Sequence, residues 1–267
     1  MLESAFGTSD VRTRWTPWHR DPAALARSGR IPVYCLPHAG GSASVFLPWS
    51  KADDQPDLVF VPVELPGRGT RLFDNPLSTM DRVTDELLTV LATRPPGRPF
   101  VLLGHSMGAQ IAYETARRLT AAGSAPLCLA VSGCRPPGSP RHHIHDLPAD
   151  ELISWLERLG GTPAEVLAHR ELMERLLPVM RADLGLLADY TDTVEATPLG
   201  CPLLALGGTE DRMAEPAWIA GWQRLTTARF ALRIFAGDHF FLYRHATPAR
   251  AELAACVRTA LEDKLSQ

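Results

Sequence analysis

The sequence predicts an α/β fold in which a mostly parallel β-sheet carries helices on both faces. Short apolar runs alternate along the chain with amphipathic segments of helical length, an order typical of parallel sheets. Several runs are almost continuously apolar, as strands must be when helices cover them from both sides. Glycine-rich turns follow some of these runs, so we expect loops with chemical roles at the carboxyl ends of the strands.

Six runs are predicted as strands and four segments as helices. The strands cover residues 32–36, 58–63, 100–103, 127–131, 203–206 and 230–235. The helices cover about 81–93, 107–122, 216–226 and 247–264. Strands and helices therefore alternate over most of the chain, and one long interval is left over.

The interval 136–197 is too long for a simple connection between two strands. It opens with a turn-rich segment and then shows two apolar stripes at helical spacing, Leu152, Trp155, Leu156 and Leu159, and Leu172, Leu176, Met180, Leu184 and Leu187. A structureless loop of this length is uncommon in a compact domain, so we predict a helical insertion. Its stripes fit ordinary packing helices as well as a cap over an active site.

The composition excludes two classes of partner. Lys and Arg total 27 against 30 for Asp and Glu, a formal net charge of −3, so no whole-chain field attracts nucleic acid or an anionic membrane. The first residues lack the features of a secretory signal, and no stretch approaches about 18 apolar residues, so we expect a cytoplasmic location.

The odd number and wide spacing of the cysteines favour reduced thiols that pack as small core residues: Cys35, Cys128, Cys134, Cys201 and Cys256.

The pentapeptide Gly104-His105-Ser106-Met107-Gly108 predicts a nucleophilic serine. It follows a predicted strand and precedes a predicted helix, and this context makes the short motif specific. The sharp turn projects Ser106 above the sheet, and the helix N-terminus behind it favours an anion. The alternative is a tight turn whose serine merely caps the helix.

A serine hydroxyl needs a base and an orienting carboxylate to become a nucleophile. We predict Asp211 and His239 for these roles, because each follows a predicted strand and both come after Ser106 in the chain. Glu210 and Asp238 are alternatives for the acid. Asp238 ranks lower because neighbouring side chains on an extended segment point apart.

Other histidines near these motifs receive weaker assignments. His245 follows the last strand but lies at the approach to the next helix. His105 lines the site or, by the alternative that we favour, packs inside the turn. The glycine-rich segment 37–42 is predicted to form an oxyanion hole, in which the backbone amide of Ala39 joins that of Met107. His38 is predicted to bind substrate or, alternatively, to support this turn.

Two other patterns are rejected. His143, His145 and Asp146 resemble part of a metal motif, but a further histidine and a strand framework are missing, so we predict a solvated loop and no metal site. Neither a dinucleotide-binding nor a P-loop glycine motif is present.

With these residues placed, the chain resembles an α/β-hydrolase, and more closely a type II thioesterase of polyketide or nonribosomal peptide pathways. Asp238 stands where that family often has glycine, and Arg212-Met213 follows the acid where proline is common. The resemblance rests on seven motifs in the same order: residues 36–42 (LPHAGGS), 64–69 (ELPGRG), 104–109 (GHSMGA), 159–163 (LGGTP), 177–183 (LPVMRAD), 207–211 (GGTED) and 239–242 (HFFL).

The resemblance implies hydrolysis of acyl groups from the phosphopantetheine arm of acyl or peptidyl carrier proteins, which removes stalled or wrongly primed chains. It implies one α/β-hydrolase core, residues 1–135 and 198–267, with 136–197 as a helical lid. No cofactor is expected, since the substrate itself carries phosphopantetheine, and we expect a monomer. Met107 and apolar lid residues are expected to contact the acyl chain. The alternatives are a general carboxylester hydrolase or acyltransferase, and a non-catalytic binding protein on the same fold.

Overall fold

Six parallel strands form one sheet in the order β2-β1-β3-β4-β5-β6. The computed structural model describes residues 13–19, 21–140, 143–188, 190 and 197–266. The strands are β1 Ile31–Leu36, β2 Leu58–Pro62, β3 Val101–His105, β4 Cys128–Ser132, β5 Leu203–Gly208 and β6 Phe230–Phe235. The predicted parallel sheet is confirmed.

Helices and short 3₁₀ turns connect the strands. The helices are α1 Pro22–Arg27, α2 Leu47–Ser50, α3 Met80–Ala92, α4 Met107–Ala121, α5 Ala149–Leu159, α6 Ala164–Leu167, α7 Arg170–Ala188, α8 Pro216–Ile219, α9 Phe241–Arg244 and α10 Ala246–Leu265. The 3₁₀ turns are Ala43–Phe46, Gly69–Arg71, Ile144–Asp146 and Ala220–Leu225. Among the described residues, no helix is both long enough and apolar enough to cross a membrane.

The apolar core has two halves, one on each face of the sheet. Successive strand residues point to opposite faces, so Tyr34 packs with the α3 and α4 side while Val33 packs with the α10 side. Both faces of the central strands are covered, which explains why their sequences are apolar without alternation. β6 is an edge strand and is only partly buried.

The connection between β4 and β5 contains the helices predicted for this interval. α5, α6 and α7 share a small apolar cluster of their own, formed by Leu152, Leu156, Leu167, Met173, Met180 and Leu184. The partly buried Ala39 of the loop after β1 packs against this cluster. These helices therefore lie at the carboxyl edge of the sheet, where the predicted site residues also lie.

The helix predicted over 216–226 is wrong in its second half. α8 ends at Ile219, and the chain continues as 3₁₀ turns through Leu225. Gly221 weakens the helix, because glycine loses more backbone freedom in a helix than other residues. The indole of Trp222 is fully buried, and its Nε1 donates to the Cys134 carbonyl at 2.7 Å. A tertiary contact thus sets the local conformation.

Replacing Leu253 tests how tightly α10 packs on the sheet. Leu253 is 1% exposed, so Leu253→Ala should lower the free energy of unfolding by about 2–5 kcal/mol through the cavity left behind. Arg258 lies exposed on the same helix, and Arg258→Ala should change it by less than about 0.5 kcal/mol. Urea denaturation measures both, and equal losses would contradict this packing.

Candidate active site

Ser106 occupies a sharp turn between β3 and α4. Its φ of 54° makes it the one non-glycine residue with positive φ in the described part of the chain. A Cβ at Gly104 would lie 2.0 Å from the Gly108 carbonyl oxygen, and a Cβ at Gly108 would lie 2.3 Å from the Leu36 carbonyl oxygen. Both positions therefore require glycine, because backbone meets backbone there. The pentapeptide folds as the strand–turn–helix that its context predicts.

The structure brings Ser106, His239 and Asp211 into one chain of hydrogen bonds. The His239 Nε2 lies 3.0 Å from the Ser106 Oγ, and its Nδ1 lies 2.9 Å from the Asp211 Oδ2. An ionised carboxylate only accepts hydrogen bonds, so Nδ1 carries the proton and Nε2 is free to accept from the serine. His239 is 5% exposed and Asp211 is 1% exposed, which removes competing water. The arrangement can make the Ser106 hydroxyl a nucleophile.

Asp211 is itself held by the backbone that follows it. Its Oδ1 accepts hydrogen bonds from the amides of Met213 and Ala214, at 2.9 and 3.1 Å. These bonds compensate for burying a charge and fix the direction in which the carboxylate faces His239.

The alternative acids and base lie elsewhere. Asp238 forms a half-exposed ion pair with Arg244, and Glu210 is exposed. The Nε2 of His245 bonds to the Ala236 carbonyl at 2.8 Å. The structure therefore gives these groups no contact with Ser106 or with the ring of His239.

His105 packs beneath the site and does not line it. It is fully buried, its Nδ1 lies 3.0 Å from the Ser132 Oγ, and its ring centroid lies 5.1 Å from that of His239. Burial and the neighbouring imidazoles of His239 and His38 hold the pKa of His105 well below its ordinary value. His105 therefore supports the His239 ring as a neutral group.

The glycine-rich loop after β1 lies beside Ser106. Ala39 lines the same cavity as Ser106 and His239. The amides of Ala39 and Met107 donate to no group in the described part of the chain, so both are available to an oxyanion. The predicted donors are thus present with their hydrogen-bonding capacity unused.

His38 both lines the cavity and supports the loop. Its Nδ1 lies 2.7 Å from the Tyr243 Oη, and its ring packs edge-on against Phe240. Burial, the nearby His239 and the charge of Arg68 lower the pKa of His38 to about 3. His38 is therefore neutral at pH 7 and adds no charge to the site.

A cavity of about 610 Å³ opens above Ser106. The loop 38–42, Ser106 and His239 form its floor, and α5 and α7 contribute apolar walls through Trp155, Leu159, Leu176 and Leu187. A space of this size holds a small ligand, and the apolar walls favour a hydrocarbon chain.

The prediction that the side chain of Met107 contacts substrate is wrong. It is fully buried in the core between the sheet and the helices, and it does not line the cavity. The first helical residue after so sharp a turn points back towards the sheet, so only its backbone amide remains available to substrate.

The rejected metal motif forms a cluster at the surface. The ligand atoms of His143, His145 and Asp146 lie within 4.8 Å of one another, although His143 and Asp146 are exposed. The His145 carbonyl accepts a hydrogen bond from the Arg181 guanidinium, which places a positive charge on the same turn. A cation is disfavoured beside that charge, and we assign no metal here.

Three charged residues behind the glycine-rich loop were not assigned a role from the sequence. Glu64, Arg68 and Asp183 are buried together, with exposed fractions of 0%, 5% and 1%. The sequence signal for them is their position among apolar residues in two motifs, 64–69 and 177–183. Charged residues are rarely buried without a partner, so charges in such segments indicate buried ion pairs or hydrogen bonds.

The parallel sheet and the serine turn define an α/β-hydrolase. Residues 31–254 match the family described as "Thioesterase domain". The probable cadicidin biosynthesis thioesterase of Streptomyces griseus is 35% identical over 250 residues, which cover 92% of this chain and 66% of that protein. Gramicidin S biosynthesis protein GrsT of Aneurinibacillus migulanus is 34% identical over 83% of this chain and 86% of that protein.

A solved structure agrees with these relatives. The type II thioesterase BorB from the borrelidin biosynthetic cluster superposes with a TM-score of 0.77 at 35% identity, covering 85% of this chain and 93% of that chain. The chain belongs to the thioesterase domain family. This membership confirms the predicted fold and the prediction of a thioester hydrolase.

Changing one carboxylate at a time tests which acid serves His239. Asp211→Asn should lower kcat for a small acyl thioester by about 10⁴-fold, because an amide favours the wrong imidazole tautomer. Asp238→Asn should retain most of the activity, since Asp238 pairs with Arg244 at the surface. Steady-state kinetics measure both, and a larger loss at position 238 would contradict the arrangement.

Proposed function

We propose that this protein is a type II thioesterase that hydrolyses acyl groups from the phosphopantetheine arm of acyl or peptidyl carrier proteins. It would thereby remove stalled or aberrant chains in polyketide or nonribosomal peptide synthesis. The observation that carries the proposal is the chain of hydrogen bonds from Ser106 through His239 to Asp211, which opens into an apolar cavity. Relatives named for gramicidin S and cadicidin biosynthesis support the type of pathway.

Acylation begins at Ser106. His239 takes the hydroxyl proton through Nε2 while Oγ attacks the thioester carbonyl, and Asp211 stabilises the imidazolium that forms. The tetrahedral oxyanion accepts hydrogen bonds from the amides of Ala39 and Met107. The C–S bond then breaks, the thiol leaves with the proton from His239, and the acyl group remains on Ser106.

Deacylation repeats the same steps with water as the nucleophile. His239 removes a proton from water, the hydroxide oxygen attacks the acyl-serine, and the same two amides hold the second oxyanion. Collapse releases a carboxylic acid and returns the proton to Ser106. A thiolate is a better leaving group than an alkoxide, so selection among acyl chains matters more than activation of the bond.

The segment 136–197 is proposed to act as the lid that makes this selection. α5 and α7 supply the apolar walls of the cavity above Ser106. A chain that fills this space excludes water from the thioester until acylation is complete. The length and branching of accepted chains would then depend on side chains such as Trp155 and Leu176.

The expected partners follow from this substrate. A carrier protein would present its arm at the mouth of the cavity, and no cofactor takes part because phosphopantetheine belongs to the substrate. We further propose a monomer in the cytoplasm, where it would meet the synthase. With a formal charge of −3, docking would depend on a local surface and not on the net field.

A panel of substrates tests the proposed class. The substrates carry the same acyl chain on a carrier protein, on coenzyme A or on p-nitrophenol, and kcat/KM should fall in that order. The acylated carrier protein offers both a protein surface and a thioester, acyl-CoA offers the thioester alone, and the p-nitrophenyl ester offers neither. Faster turnover of the oxygen ester would favour the carboxylester hydrolase. Transfer of the chain to an added thiol or alcohol in preference to water would favour an acyltransferase.

Ser106→Ala should abolish hydrolysis and leave the melting temperature nearly unchanged, because the hydroxyl has no hydrogen-bond partner other than His239 among the described residues. Intact-protein mass spectrometry after mixing with acyl thioester should show one acyl group on the wild type and none on this variant. The control is Ser124→Ala, which changes an exposed serine in the loop between α4 and β4 and should behave as wild type. Full activity of Ser106→Ala would exclude the mechanism.

A further inference from the structure

The backbone just after the proposed oxyanion donor Ala39 is held by a helix from another part of the chain. Asp183 on α7 accepts a hydrogen bond from the Gly40 amide, with an N–Oδ2 distance of 2.7 Å. Gly40 has a φ of +73°, and a Cβ there would lie 2.2 Å from the Sδ of Met180, also on α7. α7 therefore packs directly on the loop and sets the peptide plane that follows Ala39.

Arg68 keeps the Asp183 carboxylate in place. Its guanidinium donates to both carboxylate oxygens, with 2.8 Å between Nη2 and Oδ1, and its Nε donates to the Pro66 carbonyl at 3.2 Å. Since both charged groups are buried, each depends on the other for compensation. The carboxylate is thus a fixed acceptor for the Gly40 amide.

A second buried carboxylate holds the far end of the same loop. Glu64 accepts from the Ala43 amide at 2.9 Å through Oε1 and from the Thr70 amide at 3.1 Å through Oε2. On the near side, the bond between His38 and Tyr243 fixes the residue before Ala39. Anchors thus lie on both sides of Ala39, while its own amide is left for a ligand.

We propose that Asp183 is a positioning residue for thioester hydrolysis: by holding the Gly40 amide, it keeps the Ala39 amide directed at the oxygen that becomes negative in the transition state. Arg68 acts through Asp183. The inference rests on the proposed function, which gives the Ala39 amide its role. Because Asp183 lies on α7, the oxyanion loop has this geometry only while α7 packs on it.

The test compares two double variants that differ only in the acceptor at position 183. Arg68→Met/Asp183→Asn keeps a side-chain oxygen for the Gly40 amide, whereas Arg68→Met/Asp183→Leu removes it. Both variants remove the two buried charges together, a change that is often tolerated, whereas loss of one partner leaves an uncompensated charge. Thermal melts establish folding, and Arg68→Met/Asp183→Ala replaces the leucine variant if leucine does not fit.

The leucine variant should lose about 10- to 100-fold in kcat relative to the asparagine variant, with KM unchanged. That is less than the about 10²–10³-fold cost of deleting an oxyanion donor, because the Ala39 amide is displaced and not lost. Inhibition by an acyl trifluoromethyl ketone, which forms a tetrahedral adduct, should weaken by the same factor. Binding of a non-hydrolysable thioether analogue of the substrate should not change.

Two results would overturn the inference. Equal kcat in the two variants would show that the acceptor at position 183 is immaterial. Parallel losses in thioether binding and in ketone inhibition would show that Asp183 only maintains the shape of the cavity. Failure of the proposed function is a separate result, because it would appear in the wild type as missing turnover or as turnover that survives Ser106→Ala.

Discussion

The backbone conformation at Ser106 is the constraint on which the rest of the site depends. Its φ of 54° and ψ of −118° are sparsely populated by side-chain-bearing residues, and such a conformation costs about 1–3 kcal/mol. Burial of α4 against the sheet and the bond from the Ser106 amide to the Ser132 carbonyl, at 2.8 Å, offset this cost. Because the turn is so tight, α4 touches the backbone at the end of β1, and the loop carrying Ala39 lies beside the serine.

Buried carboxylates around this turn are compensated by neighbouring groups. Two of them have a cationic or imidazole partner and also accept backbone amides: Asp211 orients His239, and Asp183 holds the loop after β1. The two other imidazoles nearby, His38 and His105, are kept neutral by burial. The site therefore offers one imidazole that can exchange a proton with Ser106, and a mostly apolar surface lines the cavity above it.

The strands were predictable because parallel strands covered on both faces leave continuous apolar runs in the sequence. The conformation of the second half of the segment 216–226 was not predictable, because the hydrogen bond from Trp222 to the Cys134 carbonyl outweighs its helical spacing. The direction of the Met107 side chain was likewise not predictable from the sequence. Its place beside the serine was evident, but whether it faced the cavity or the core depended on the direction of the turn.

The sequence by itself determined which residues could carry the chemistry, because Ser106, Asp211 and His239 each follow an apolar run, and parallel strands end at a common edge. Only the tertiary structure decided which charges meet behind the loop. Asp183 and Arg68 are separated by 115 positions, and nothing local in either segment specifies the other. Their pairing follows from the packing of α7 on the loop after β1, which is a long-range contact. Apolar periodicity predicts that one face of α7 is buried, but it does not predict which part of the chain covers that face.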